Sequence, residues 1–448
     1  MTNDWMTGKF SKRSTRSSRA TWVNNLWISC DICRIRPCIS QCKTLKKPLF
    51  YSLPPAGQKI PLKALARCLT VKSRDTRDRS IEVIKRYLGT DHVFFLSSGR
   101  AALWLYLKTV SSMKPGRKEV IVPAYTCPSV VSAVLKAGLT PVLCDNNIDD
   151  FGFLCEELEE RLNKKTLAVI VVHLYGMPVK LDKIQALCRS NDTWLVEDAA
   201  QAFGGSFPGN PDVKLGFAGD AGFFSFGRGK PISILHGGLL TMKSRDIHEE
   251  VLNLYGRMNG SSSFQSVNYC LSLGLYSLFS NPRLYWFPQL IPALNLGGTV
   301  FEPEFEITSG NSLAMSLACE MIDSIEVEKR VREDNSRWYF DNLEEFQWAG
   351  ISPAPVYPYL RYPLLFTDGG VRNRILESLV SAGTGATGSY PTPLNILPGL
   401  KEVLADEREY KNAKQISASI VTLPVHSGVT EKDRENIKRI IAQASHAN

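Results

Sequence analysis

Between residues 77 and 198 the chain alternates stretches of helical period with short β-branched runs, and no other feature limits its fold so strongly. RDRSIEVIKRYLG places its apolar residues at helical spacing, HVFFL follows as a short buried strand, and RAALWLYLKTV is a second helix. EVIVPAY, SVVSAVLKAG and PVLCD continue as strand, glycine-stopped helix and strand. LAVIVVH is apolar almost throughout, as expected of a strand covered on both faces. KLDKIQALCRS then reads as a helix and TWLVED as a strand ending in two acids. Such alternation predicts βαβ units and an α/β fold on a large, doubly wound, mostly parallel sheet. Sheets of this kind bind ligands at the carboxyl ends of their strands, where the loops open. The residues just after each strand are the ones to read for chemistry.

Beyond about residue 245 the pattern changes. Residues 268–296, NYCLSLGLYSLFSNPRLYWFPQLIPALNL, are dense in aromatics, and their prolines interrupt any single long helix. A packed insertion or a subunit interface is expected there. SLAMSLACEMIDSIEVEKRVREDNSRWYFDNLEEF reads as one long amphipathic helix, and the remainder as a smaller α/β domain. The predicted divisions are a basic, cysteine-containing extension over 1–50, a large domain over 51–255, the aromatic insertion over 256–310, and the long helix with a small C-terminal domain over 311–448.

Hydrophobic residues make up 44% and charged residues 22% of the 448, values that suit a globular chain with a sizeable core. The formal charge of +9 sits almost wholly in residues 1–47, which hold ten Lys/Arg against two Asp/Glu and leave 43 against 42 elsewhere. A near-neutral body argues against a nucleic-acid partner. The extension is rich in Ser, Arg and Lys and is expected to be disordered. TWVNNLWISC is too short and too polar for a secretory segment. No apolar run reaches eighteen residues, so no stable membrane insertion is expected. An odd eleven cysteines fit reduced thiols and a cytoplasmic location. Cys30, Cys33, Cys38 and Cys42 cluster, but intervals of two, four and three residues match no ligand pattern, and no metal is expected.

Four strand ends carry chemistry. After HVFFL, Ser97-Ser98-Gly99-Arg100 opens a helix, where free N–H groups and the positive dipole end suit an anion, although serine is also an ordinary N-cap. After WLV, Glu197 and Asp198 are followed by small residues that would let a flat group approach the backbone. GFFSFGRGK ends on Lys230, either a surface lysine where a strand stops or an amine held for chemistry. A P-loop would need glycine at 224 and a hydroxyl at 231, where Phe224 and Pro231 stand. Pro231 instead biases Lys230 away from helical angles, onto an extended segment or turn, and Ser225 could aim a hydroxyl at a phosphate. In VPAYTCPSV, Tyr125 offers a ring face or a core residue. An anion site, a carboxylate, an aromatic and a lysine are together what pyridoxal 5′-phosphate requires for its phosphate, pyridine nitrogen, ring and aldehyde.

The same motifs resemble those of the DegT/StrS-type nucleotide-sugar aminotransferases, a branch of the fold-type I pyridoxal-phosphate enzymes. SGRAAL, at 98–103, resembles the family's phosphate-binding SGTAAL, and VEDAAQAFGG its EDAAQAHG segment. VIVPAYTCPSVVSAVLKAGLTPVLCD, VVHLYGMPVKLDKI, GDAGFFSFGRGKPISILHGGLL and VTLPVHSGVTEKD resemble further family stretches, in order, over roughly 77–440. The resemblance implies that Lys230 bonds the cofactor aldehyde and moves the proton, that Asp198 pairs with the pyridine nitrogen, and that Gln201 contacts the ring hydroxyl. Ser98, Ser225 and the backbone N–H groups of Gly99 and Arg100 would hold the phosphate.

It further implies a homodimer that transfers an amino group from an amino acid, usually glutamate, to a nucleotide-linked keto sugar. A non-catalytic regulatory or scaffold protein on the same fold is the alternative. A dehydratase branch carries histidine at the lysine position, and Lys230 argues against it. The departures are local. Arg100 replaces a threonine, with a charge that could compensate. The stacking aromatic falls at Cys127, leaving Tyr125 or nothing to cover the ring. The asparagine that reaches the neighbouring subunit's cofactor has only Asn311 as a substitute.

Overall fold

In the computed structural model the chain is described over residues 50–70, 74–260, 262–291, 297–346 and 357–446. The basic extension and its cluster of Cys30, Cys33, Cys38 and Cys42 lie outside the described residues. Helices α1 (Leu62–Thr70) and α2 (Arg74–Leu88) lead into β1 (Val93–Leu96) and α3 (Gly99–Met113). Then come β2 (Glu119–Pro123), α4 (Pro128–Lys136), β3 (Thr140–Cys144), α5 (Cys155–Arg161), β4 (Thr166–Val172), α6 (Asp182–Ser190) and β5 (Trp194–Asp198). A small hairpin of β6 (Ser206–Phe207) and β7 (Asn210–Lys214) precedes β8 (Ala221–Ser225), β9 (Gly238–Met242) and α7 (Arg245–Tyr255).

One seven-stranded sheet, in the order β1-β9-β8-β5-β4-β2-β3, carries the large domain. Strands β2, β3, β4, β5 and β8 pair in parallel, and only β9 runs antiparallel, to both β1 and β8. Every residue of β4 is buried, which explains its unbroken apolar run. Register gathers the strand ends on one edge: Asp198 stands beside Val172 and Phe223, and Ser225 beside Gly238. The residues predicted to carry chemistry follow these ends.

The expected interruption of the aromatic segment is present. A Ser262–Gln265 capping box starts α8 (Ser263–Phe279), and the short α9 (Trp286–Gln289) follows the Asn281-Pro282 turn. The single long helix expected from residue 312 is instead two, α10 (Ser312–Ile322) and α11 (Ile325–Leu343). The Ser324 hydroxyl donates to the Met321 carbonyl at 2.9 Å and accepts from Gln58 Nε2 at 2.8 Å. Serine thereby gives that carbonyl a partner outside the helical ladder, a competition the apolar period does not report. Helix α10 packs on α1 and α2.

The smaller unit is an antiparallel pair, β10 (Arg361–Leu365) with β11 (Ile420–Pro424). It is accompanied by α12 (Gly369–Ser381), α13 (Lys401–Leu404), α14 (Lys411–Ser419) and α15 (Glu431–Ser445). Among the described residues no helix is long and apolar enough to cross a membrane.

Candidate active site

The apolar character of GFFSFGRGK is an anchor. Phe224 and Phe226 are buried, alternate along the strand, and pack edge-on against Phe203 at ring separations of 5.4 and 5.3 Å. Burying each ring contributes about 1.5–3 kcal/mol. The two rings fix the backbone between them, so Ser225 and the turn at 227–230 leave the sheet at a set point. Lys230 lies on that turn, as Pro231 requires.

Ser98 caps α3, its Oγ accepting from Ala101 N at 3.2 Å. Gly99 sits against β8, where a β-carbon would lie 3.0 Å from Ser225 Cβ and 3.2 Å from the Phe224 carbonyl oxygen. Ser98, Gly99, Arg100 and Ser225 are thus brought together, and the helix leaves its first N–H groups without intrahelical partners. The arrangement suits a phosphate. The Arg100 side chain serves elsewhere and does not compensate for a missing hydroxyl. Its Nη1 pairs with Glu302 at 2.9 Å, and the guanidinium stands 5.0 Å from the centre of the Phe305 ring.

Asp198 is 5% exposed, and its Oδ1 accepts from Ala200 N at 2.9 Å. Burial pushes its carboxyl up, while Lys230, the Ala200 N–H and His173 pull it back toward the anion. Lys230 is half-buried and makes the reciprocal case. Loss of solvent lowers its amine below the usual lysine range, Cys127 and Asp198 act to raise it, and Arg361 lowers it further. A carboxylate and an amine at neighbouring strand ends therefore lie within electrostatic reach of each other with opposed shifts, a pairing expected of a site that moves protons.

Gln201 is pinned by two bonds: its Oε1 accepts from Tyr175 N at 3.1 Å, and its Nε2 donates to Tyr390 Oη at 3.3 Å. An amide nitrogen has a second hydrogen to offer a ligand. Tyr175 holds φ +58, a strained angle for a tyrosine, and the bond from Gln201 helps hold it there.

Tyr125 does not supply the ring face. It is 0% exposed, its N–H donates to Asn146 Oδ1 at 2.8 Å, and its hydroxyl donates to the Tyr390 carbonyl at 3.2 Å. A residue waiting to stack on a ligand would be open on one side. Cys127, half-buried at the N-terminus of α4 and within electrostatic reach of Lys230, stands nearer the chemistry. Asn311 is the N-cap of α10, its Oδ1 accepting from Leu313 N at 2.8 Å and its Nδ2 donating to Ser266 Oγ at 3.1 Å.

Several residues here were given no role of their own by sequence reasoning. His173 Nδ1 accepts from Val179 N at 3.2 Å, so the ring proton lies on Nε2, which donates to Glu197 Oε2 at 2.9 Å. Glu197 also accepts from Gly216 N at 2.9 Å and Gly219 N at 2.5 Å. The signal was present in the acid beside Asp198, at the odd position of a strand whose even position faces the ligand edge. Gly238 lies against Ser98. Arg361 stands at the start of β10 and Tyr390 follows α12, and no local pattern announces them.

A family model described as the DegT/DnrJ/EryC1/StrS aminotransferase family matches residues 73–275 and 311–442. The GDP-perosamine synthase of Caulobacter vibrioides is 26% identical over 362 residues, 80% of this chain and 85% of that protein. The UDP-4-amino-4,6-dideoxy-N-acetyl-β-L-altrosamine transaminase of Helicobacter pylori is 27% identical over 400 residues, 87% of this chain and 96% of that one. Among solved structures, Helicobacter pylori PseC, an aminotransferase involved in pseudoaminic acid biosynthesis, superposes with a TM-score of 0.67 at 20% identity. That superposition covers 89% of this chain and 99% of PseC and speaks for the fold.

Proposed function

Because the chain belongs to the DegT/DnrJ/EryC1/StrS aminotransferase family, we propose that it transfers an amino group from an amino acid, glutamate, to a nucleotide-linked keto sugar with pyridoxal 5′-phosphate. The observation that carries the reading is that Lys230, on the turn after β8, lies within electrostatic reach of Asp198, at the end of the neighbouring strand β5. Nucleotide sugars in the names of the Caulobacter and Helicobacter relatives support the acceptor class.

The residues present fit that cofactor. Neither Gly99 nor Gly238 has room for a β-carbon, so the turn at Ser98 lies directly against Ser225 and the start of β9, forming the cradle proposed for the phosphate. Those residues would hold the phosphate, Asp198 the pyridine nitrogen, Gln201 the ring hydroxyl and Lys230 the aldehyde. When bound, the cofactor supplies an electron sink for the charge that develops at the donor's Cα. The chain's own part is to hold and move protons. Asp198 would set its carboxyl against the ring nitrogen; burial raises its pKa, and Lys230, the Ala200 N–H and His173 oppose that rise. Lys230 Nζ accepts the proton from the donor's Cα, a role suited to an amine whose pKa burial has lowered. Gln201, tied to Tyr175 and Tyr390, keeps its remaining donor oriented.

A homodimer in the cytoplasm belongs to the same reading, and light scattering on the purified protein tests the dimer. The function itself is tested by adding glutamate to the cofactor-loaded protein. The cofactor absorbance should change with native protein, and Lys230→Ala should lose turnover while still binding the cofactor. Transamination that survives in Lys230→Ala would overturn the assignment.

A further inference from the structure

Arg361 opens β10 and lies within electrostatic reach of Lys230. Its Nη1 donates to Thr387 Oγ1 at 3.2 Å, and that hydroxyl is paired with Thr422 Oγ1 at 2.9 Å. Its Nε is buried with no hydrogen-bond partner, and among the described residues no carboxylate forms an ion pair with it. With Nη1 engaged, the unused side of the guanidinium is the Nε–Nη2 edge, the fork that meets a planar oxyanion with two parallel hydrogen bonds.

The placement of this fork follows from its neighbours. The preceding residue, Leu360, donates its N–H to the Tyr175 carbonyl at 2.7 Å. Thr387 heads the loop that carries Ser389 and Tyr390. Ser389 Oγ accepts from Tyr175 Oη at 2.6 Å, and Tyr390 Oη accepts from Gln201, three residues after Asp198. From the other side α8 covers the segment after the lysine: Tyr276 Oη and Ser233 Oγ lie 2.6 Å apart, and Ser233 Oγ accepts from Gly229 N at 2.8 Å. Tyr285, between α8 and α9 and outside the stretches matched to the family, feels the charge of both Arg361 and Arg228.

We propose that Arg361 is the anion-recognition residue of this site, its Nε–Nη2 edge taking a substrate oxyanion beside Lys230, either the donor's carboxylate or a phosphate of the nucleotide. The inference rests on the aminotransferase reading. A half-buried guanidinium within electrostatic reach of a second cation, with an unsatisfied N–H, is a costly arrangement that an anionic ligand relieves. The charge also acts on the reacting amine, lowering the Lys230 pKa, so arrival of an anion at Arg361 would make Lys230 a stronger base.

The test is calorimetry on the cofactor-loaded protein with two probes, succinate for the carboxylate source and uridine or guanosine diphosphate for the phosphate source. In Arg361→Leu the affinity for one probe should fall roughly tenfold or more, as loss of charged hydrogen bonds predicts. The other probe should bind as before. Arg361→Lys, which keeps a charge and loses the fork, should show a smaller loss for the same probe and serves if the leucine variant does not fold. A fall in the succinate arm assigns the carboxylate, and a fall in the diphosphate arm assigns the phosphate. Native-like binding of both probes by both variants overturns the proposal, as does a native protein that binds neither. The glutamate-driven absorbance change of native protein reports on the aminotransferase reading separately, so the two failures are distinguishable.

Discussion

Gly238 stands so close to Ser98 that a β-carbon on it would lie 2.3 Å from the Ser98 carbonyl carbon and 2.5 Å from Gly99 N. The contact joins the start of β9 to the turn that opens α3, with Ser225 paired to Gly238 on the other side. Gly238→Ala forces these backbones apart and opens the phosphate cradle. Overpacking of this kind costs about 1–3 kcal/mol, so affinity for pyridoxal phosphate should fall by roughly tenfold or more. A fluorescence titration of the cofactor-free protein measures it. Unchanged affinity would mean that the cradle does not hold the phosphate.

The Lys230 amine gives a prediction with two signs. Burial and Arg361 lower its pKa, and Asp198 raises it. Asp198→Asn should therefore lower it further, and Arg361→Leu should raise it. The pH dependence of Lys230 modification in the cofactor-free protein, read by mass spectrometry, follows both. Stability changes accordingly. Below the ordinary lysine value of about 10.4 the unfolded chain binds this proton more readily than the folded one. The penalty grows as pH falls from there to the depressed folded value and is absent at higher pH. Lys230→Met should thus stabilise the cofactor-free protein at neutral pH, as denaturant titration would show, and a destabilised variant would contradict the direction of the shift.

Sequence reasoning reached the sheet and one half of the site because both are local. The β-branched run at 166–172 and the serine, acid and lysine after β1, β5 and β8 are written in contiguous residues. What escaped it depends on distance in the chain. Tyr125 looked available from its neighbours, and the approach of Tyr390, 265 residues away, helps enclose it. The charge of Arg100 looked free for an anion until Glu302 was brought to it. The break at Ser324 was hidden because the apolar period continues through it while a hydroxyl redirects one carbonyl.

Glu197 is the buried support beneath Asp198. It is fully enclosed and accepts three hydrogen bonds, from His173 Nε2, Gly216 N and Gly219 N. Glu197→Gln removes the charge and turns an amide N–H₂ toward donors. Loss of a buried charged acceptor costs on the order of 3 kcal/mol. The variant should unfold at lower urea with an unchanged slope, and it should also bind cofactor more weakly, because His173 lies beside Asp198. Full stability in the glutamine variant would show that the three donors find other partners.

Cys127 provides the last prediction. Tyr125, the aromatic two residues earlier, is shut into the core, while the Cys127 sulfur is half-buried, accepts a hydrogen bond from Ser129 Oγ at 3.0 Å, and lies within electrostatic reach of Lys230 and Tyr390. If the cofactor ring lies over that position, the thiol is covered when the cofactor binds. Iodoacetamide should then alkylate Cys127 readily in the cofactor-free protein. At a cofactor concentration ten times its dissociation constant, alkylation should slow by roughly tenfold, the free fraction setting the rate. Cys155, Cys270 and Cys319 are also half-buried and serve as internal controls whose rates should not change. Peptide mass spectrometry resolves the four sites in one experiment. Equal Cys127 rates with and without cofactor would place the ring elsewhere and reopen the question of which residue covers it.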